Sequence, residues 1–185
     1  MKKFICGFVV CLFLIFTGST SSAAEKPYHI GPGDVLEISV WKDPELTKQI
    51  VVPPDGVISF PLIENVNVIN FTVADLKQFV AKKLSEFISD ATVTVMLMEI
   101  NSLKAYVIGK VNSPGEFDIG LETTVMQILA KAGGLTPFAS GGNINILRQQ
   151  KDKIVKISFD YGDVEKGKNL DQNIILSPGD VVVVP

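Results

Sequence analysis

Apolar and polar residues alternate strictly over 35–41, VLEISVW. Leu36, Ile38 and Val40 fall on one side, Glu37 and Ser39 on the other, which predicts a strand with one buried face. KDPE ends it. The same two-residue period returns over 91–99, ATVTVMLME, where Val93, Val95 and Leu97 oppose Thr92, Thr94, Met96 and Met98. Between these strands the period changes. From Thr72 onward Val73, Leu76, Val80, Leu84, Phe87 and Ile88 recur at three- and four-residue steps, the stripe of an amphipathic helix packed on a core. Thr72 and Asp75 stand at capping-box spacing at its start, and Ser89-Asp90 marks its expected end. Residues 49–52 and 57–60 flank PPDG and predict a hairpin; 66–69 reads as one more short strand.

Asn101-Ser102 interrupts the alternation, and a domain boundary is expected there. Residues 103–111 form the next strand, turned back by NSPGEF. A second helix, capped by Thr123 or Thr124, carries Val125, Ile128, Leu129 and Ala132. Gly133 then supplies the left-handed residue that closes a helix. Short strands are expected at 144–148, 154–159, 173–176 and 180–184. Pro-Gly-acid occurs three times before a strand: Pro32-Gly33-Asp34, Pro114-Gly115-Glu116 and Pro178-Gly179-Asp180. Proline followed by glycine suits a type II turn. The helices lie at different distances from the copies, so shared turn chemistry explains the phrase better than duplication does. The fold class is α+β.

The first 24 residues differ from the rest. Lys2 and Lys3, the apolar run 4–16 and the small polar stretch ending at Ala24 form the pattern of a secretory signal peptide. Cleavage is expected between Ala24 and Glu25. Cys6 and Cys11 both lie in this segment, so the exported chain has no cysteine, and disulfides and thiol chemistry are excluded. Val10 before Cys11 is a poor lipidation signal. Without Lys2 and Lys3 the net charge falls from −3 to −5, and Arg148 is the only arginine. No basic cluster is available to displace phosphate counterions, so a nucleic-acid partner is not expected.

Candidate chemistry is sparse. Glycan cleavage needs two carboxylates across one bond. Asp34, Glu37, Asp43, Glu45, Asp55, Glu116, Asp118 and Asp160 are available, but most fall in turns or at strand ends; Asp34, Asp55 and Asp180 are the plainest turn residues. His29, the single histidine, has no carboxylate in its flanking KPYHIGPG and reads as a surface residue. No metal, cofactor or catalytic residue is expected. Trp41, Tyr28, Tyr106 and Tyr161 could stack on sugar rings or fill the core. In FASGGNIN, 138–145, Asn143 and Asn145 could bond sugar hydroxyls. Trp41, Tyr106, Asn143 and Asn145 are the candidate sugar contacts.

The order of phrases YHIGPGDVLEISVW, VVPPDGVISFPLI, a Thr-started helix, AYVIGKVNSPGEF, ILAKAGGL and LSPGDVVVVP resembles the bacterial polysaccharide biosynthesis and export family. The resemblance implies a signal peptide at 1–24, a polysaccharide-export domain of short strands around one helix at 25–101, and one soluble-ligand-binding β-grasp (SLBB) domain at 102–185. It further implies a ring-forming periplasmic conduit, associated with the outer membrane, for a secreted capsule or exopolysaccharide. The partner would be an inner-membrane copolymerase or chain-length regulator. Larger members end in an amphipathic helix that builds the outer-membrane pore; here a separate outer-membrane channel protein is expected to complete the path. A stand-alone periplasmic carbohydrate- or small-ligand-binding module is the alternative, and a polysaccharide-modifying enzyme a third class. Oligomer size separates the first two, and polymer turnover would reveal the third.

Overall fold

The computed structural model of the chain describes residues 26–185. The expected signal peptide, its cleavage between Ala24 and Glu25, and both cysteines lie outside the described residues. Strand β1 (Val35–Val40) sits between β2 (Asp43–Val51) and β5 (Val93–Glu99) in an antiparallel three-stranded sheet. Strands β3 (Val57–Phe60) and β4 (Ile63–Asn67) form a separate hairpin, and helix α1 (Val73–Leu84) follows. Leu36, Ile38, Leu76, Val80, Leu84, Val93 and Val95 share one core. Burying each such aliphatic side chain contributes about 1.5–3 kcal/mol before entropy is counted.

Two sequence expectations need correction in this region. Strand β1 does end before KDPE, at Val40, but most of KDPE is not a gap: β2 starts at Asp43, and its residues pair back onto β1 from Val40↔Asp43 to Val35↔Val51. The reversal needs a positive φ, and Lys42 supplies it at 65°, without the glycine or asparagine that usually flags a hairpin. PPDG is therefore a connection from β2 to β3, and β3 pairs with β4 across Leu62, also at positive φ. The expected 49–52/57–60 hairpin does not form.

Helix α1 begins as its sequence predicts. The Asp75 amide donates to Thr72 Oγ1 (3.1 Å), and the Thr72 amide donates to the Asp75 carboxylate (3.0 Å). The Thr72 hydroxyl also donates to the Asp75 carboxylate (2.7 Å), and this bond first, then the one from the Thr72 amide, holds the Asp75 carboxyl below its ordinary range. The helix stops at Leu84, before Ser89-Asp90, with Ser85 as its C-cap; the Ser85 hydroxyl donates to the Lys82 carbonyl.

The second half of the chain builds a mixed five-stranded sheet in the order β7-β6-β10-β8-β9. Its strands are β6 (Lys104–Gly109), β7 (Gly115–Asp118), β8 (Ile144–Gln150), β9 (Lys153–Phe159) and β10 (Val181–Val184). Strand β10 runs parallel to β6 and antiparallel to β8. Helix α2 (Val125–Lys131) is closed by Gly133 at φ +76°. A short helix α3 (Tyr161–Glu165), absent from the sequence reading, follows β9. Ala105, Val107, Ile128, Leu129, Ile144, Ile146, Phe159, Val182 and Val184 form a second core that shares no residue with the first.

The expected strand at 173–176 is also corrected. This apolar run lies against the start of α2 instead, where Val125 donates to the Ile174 carbonyl and Leu176 to the Thr123 carbonyl. Only a single bridge, Thr124↔Ile175, remains of strand pairing. The three Pro-Gly-acid copies are not alike. Gly33 and Gly179 take φ of +91° and +82°, as a type II turn requires. Gly115 has no positive φ and is already the first residue of β7, because that reversal is held upstream by Asn112 and Ser113 donating to the Gly134 and Ala132 carbonyls.

Candidate functional site on the open face of the C-terminal sheet

One face of the five-stranded sheet is covered by its core. The other can be read off the strand register. Glu116 pairs with Tyr106, Tyr106 with Val181, Val181 with Leu147, and Leu147 with Lys156. The next row runs Ile108, Val183, Asn145, Ser158. Alternate residues of a strand point to opposite faces, so these rows share the side opposite buried Val107, Val182 and Ile146. Their exposure agrees: Tyr106 and Ile108 are exposed, while Val181, Val183, Asn145 and Leu147 are half-buried. The result is a strip of tyrosine and aliphatic side chains across three central strands, with polar residues at both margins.

The β7 margin is hydrogen-bonded into a fixed arrangement. Lys104 Nζ donates to Glu116 Oε1 at 2.6 Å. Bonds from Lys104 and then Tyr106 hold the Glu116 carboxyl below its ordinary range. The same bonds raise the Tyr106 phenol and the Lys104 ammonium above theirs. A carboxyl with a lowered pKa is a poor proton donor and a weak base. The arrangement suits recognition, with a ring face and aliphatic surface to cover and a charged pair at the rim, rather than proton transfer.

The four sequence candidates divide. Tyr106 and Asn145 come together on this face. Asn143 lies beside it in a 3-10 turn over Gly141–Asn143, and its carbonyl accepts from Asn145 Nδ2 at 2.9 Å, so one amide donor of Asn145 is already engaged. Trp41 does not join them. It sits at the β1–β2 turn, 72% exposed, beside a shallow cleft of about 300 Å³ with Lys42, Pro44, Thr47 and Thr94. Tyr161 opens α3 and packs on the second core. His29 is exposed, and among the described residues no group of three His, Cys, Asp or Glu could hold a metal.

Sequence reasoning missed how Asp34 and Asp180 are used. Both are fully buried. Each accepts the amide three residues earlier at 2.8 Å, from Gly31 and Ser177. Asp180 then takes a forked pair of bonds from Arg148, Nε to Oδ1 at 3.0 Å and a terminal guanidinium nitrogen to Oδ2 at 2.7 Å. This bonding raises the guanidinium pKa further. A signal was available: Arg148 shares its strand side with Ile144 and Ile146, and a charge on an apolar face requires a partner. Asp34 accepts instead from the amides of Asn101 and Ser102, both at 3.0 Å, and from the Tyr28 hydroxyl.

Comparison with known proteins gives two family matches along the chain. Residues 22–98 match the family described as polysaccharide biosynthesis/export protein, and residues 104–158 match the SLBB domain. The EPS I polysaccharide export outer membrane protein EpsA of Ralstonia nicotianae is 28% identical over 186 residues, covering 88% of this chain and 48% of that protein. The polysialic acid transport protein KpsD of Escherichia coli is 26% identical over 177 residues, covering 92% of this chain and 31% of that protein. The chain thus spans less than half the length of these curated relatives. The two matches fall in chain order on the parts of this α+β chain that carry the first sheet and most of the second, so the chain combines a polysaccharide biosynthesis/export domain with an SLBB domain.

Proposed function

We propose that the protein is a periplasmic, outer-membrane-associated component of a capsule or exopolysaccharide export machine, acting as a ring-forming conduit without catalysis. The division is 25–101 for the export domain and 102–185 for the SLBB domain, after removal of a signal peptide. One observation carries the reading: among the described residues, the second sheet leaves the strip Tyr106, Ile108, Val181 and Val183 without a partner. A second copy is the occupant proposed for that strip. The buried acids favour a role without chemistry, because Asp34 and Asp180 are committed to structural bonds. Among the described residues no helix is long and apolar enough to cross a membrane. The reading includes a separate outer-membrane channel protein alongside an inner-membrane copolymerase.

Two measurements test this. Deleting the gene in its host should stop polymer reaching the cell surface, while the polymer is still made. Native mass spectrometry of the exported protein should show a closed oligomer that Ile108→Asp reduces to monomers. A monomer whose Tyr106→Ala or Asn145→Ala variant loses binding to the host's glycan would instead establish the alternative, a carbohydrate-binding module. Depolymerisation of that glycan by purified protein would refute both.

A further inference from the structure

The two cores share no residue, so something other than core packing must set how the two sheets sit together. Near their junction lies a cleft of about 420 Å³ lined by Tyr28, His29, Pro32, Leu103, Leu121 and Pro178. Among the described residues, the hydrogen bonds that cross from the first sheet's unit to the chain beyond Ile100 end on Asn101 and Ser102. Asp34 Oδ1 takes both of their amides. The Gly33 carbonyl accepts from Asn101 Nδ2 at 3.1 Å, and the Tyr28 hydroxyl lies 2.9 Å from Ser102 Oγ while donating to Asp34 Oδ2.

The next residue is fastened from the other side: the Leu103 carbonyl accepts the Ile119 amide of the second unit at 2.9 Å. Ser102, the first residue of the second domain, is bonded to the first unit and its neighbour Leu103 to the second, leaving no free residue in the joint. Gly31 has a part in this. A Cβ built there would stand 2.6 Å from Ser102 Cβ, closer than real carbon atoms approach, so the segment packs directly on the glycine backbone.

We infer that Asp34 is an interdomain latch: its buried carboxylate converts the 101–102 linker into part of the first unit, so that the two sheets move as one rigid body. The inference does not rest on the export reading; a monomeric binding module would carry the same latch. A carboxylate suits the task because it accepts several donors at once and offers none. An asparagine in its place would point an NH₂ group at N–H donors.

The test uses the full chain with Cys6→Ser and Cys11→Ser and two spin labels, one per unit, at exposed Lys48→Cys and Lys156→Cys. Double electron–electron resonance on labelled chains diluted into excess unlabelled protein, so that only distances within one chain are read, should give one narrow distance distribution. Asp34→Asn, which weakens the latch, and Gly31→Ala, which wedges Ser102 away, should each broaden it roughly twofold or more. Asp180→Asn, inside the second unit, should leave the width unchanged. In the unsubstituted protein the Asn101 and Ser102 amides should exchange about 100-fold slower than in a free chain. A broad distribution before any latch substitution, unchanged widths in both latch variants, broadening in Asp180→Asn equal to theirs, or free-chain exchange at 101–102 overturns the inference. Should neither latch variant fold, the exchange rates decide it.

Discussion

Asp34 and Asp180 begin from the same local turn, are equally buried, and are neutralised in different ways. Asp180 meets a full positive charge, Arg148, which reaches it from the neighbouring β8 inside one sheet. Among the described residues Asp34 meets no cation and is satisfied by three amides and a phenol, two of the amides belonging to the linker. Identical turn chemistry has been put to two uses, one closing a core and the other closing a joint. A buried ion pair is costly to break because the orphaned charge stays inside. Removing a carboxylate held by neutral donors leaves unpaired amides and a phenol, which is costly, but strands no charge inside.

The largest effect should therefore come from Asp180→Ala. About 3 kcal/mol of stability in the second unit should be lost, the low end for a broken buried pair, because the Arg148 side chain retains 20% of its exposure. Amide exchange under denaturant should show the loss in β8 and β10 and spare β1 and β5. Asp34→Ala should cost less, about 1–3 kcal/mol, and should appear in the first unit. Equal losses from the two variants, or both in one sheet, would erase the distinction drawn here.

A pH titration sharpens it. Burial first, then the bond to Asp34, raises the Tyr28 phenol well above its ordinary 10.0. The folded state thus favours the protonated phenol; its contribution is complete below pH 10.0 and is lost as pH rises through the folded value. Alkaline unfolding of the first unit should have a pH dependence above 10 that Tyr28→Phe flattens; an unchanged slope would remove Tyr28 from the latch. The smallest effect should come from Glu116→Gln, in the middle copy of the motif. Its bonds lie on the surface, so the unfolding midpoint should stay put while Tyr106 ionises closer to its ordinary value, read by absorbance near 295 nm.

Much of the local architecture was legible because it is written in neighbouring residues. Leu36, Ile38 and Val40 are buried as their alternation requires, Thr72 and Asp75 make the expected cap, and Gly133 closes its helix. Pairing partners were less legible. Lys42 and Leu62 adopt left-handed turns without a sequence flag, so the hairpins fell in the wrong register. The run 173–176 has the composition of a strand, yet its backbone bonds to the start of α2. The candidate face was only partly visible: Tyr106 and Asn145 could be nominated singly, but their common side follows from β10 lying between β6 and β8. Asp34 read as a turn residue because its own turn explains it locally; its linker partners at 101 and 102 lie far along the chain.

That central position of β10 also governs the order of events in folding. The strand pairs with β6, where Val181 meets Tyr106, and with β8, where Val181 meets Leu147, so β7-β6 and β8-β9 are hairpins with a gap between them until it arrives. Loop closure over such separations is slow compared with forming a hairpin. The sheet cannot become continuous from its earlier strands alone. A chain threaded in order through a narrow passage would keep this half open until residues 181–184 had emerged. Pulse-labelled hydrogen exchange should find β6 and β8 gaining protection along their facing edges together with β10, after the two hairpins have formed.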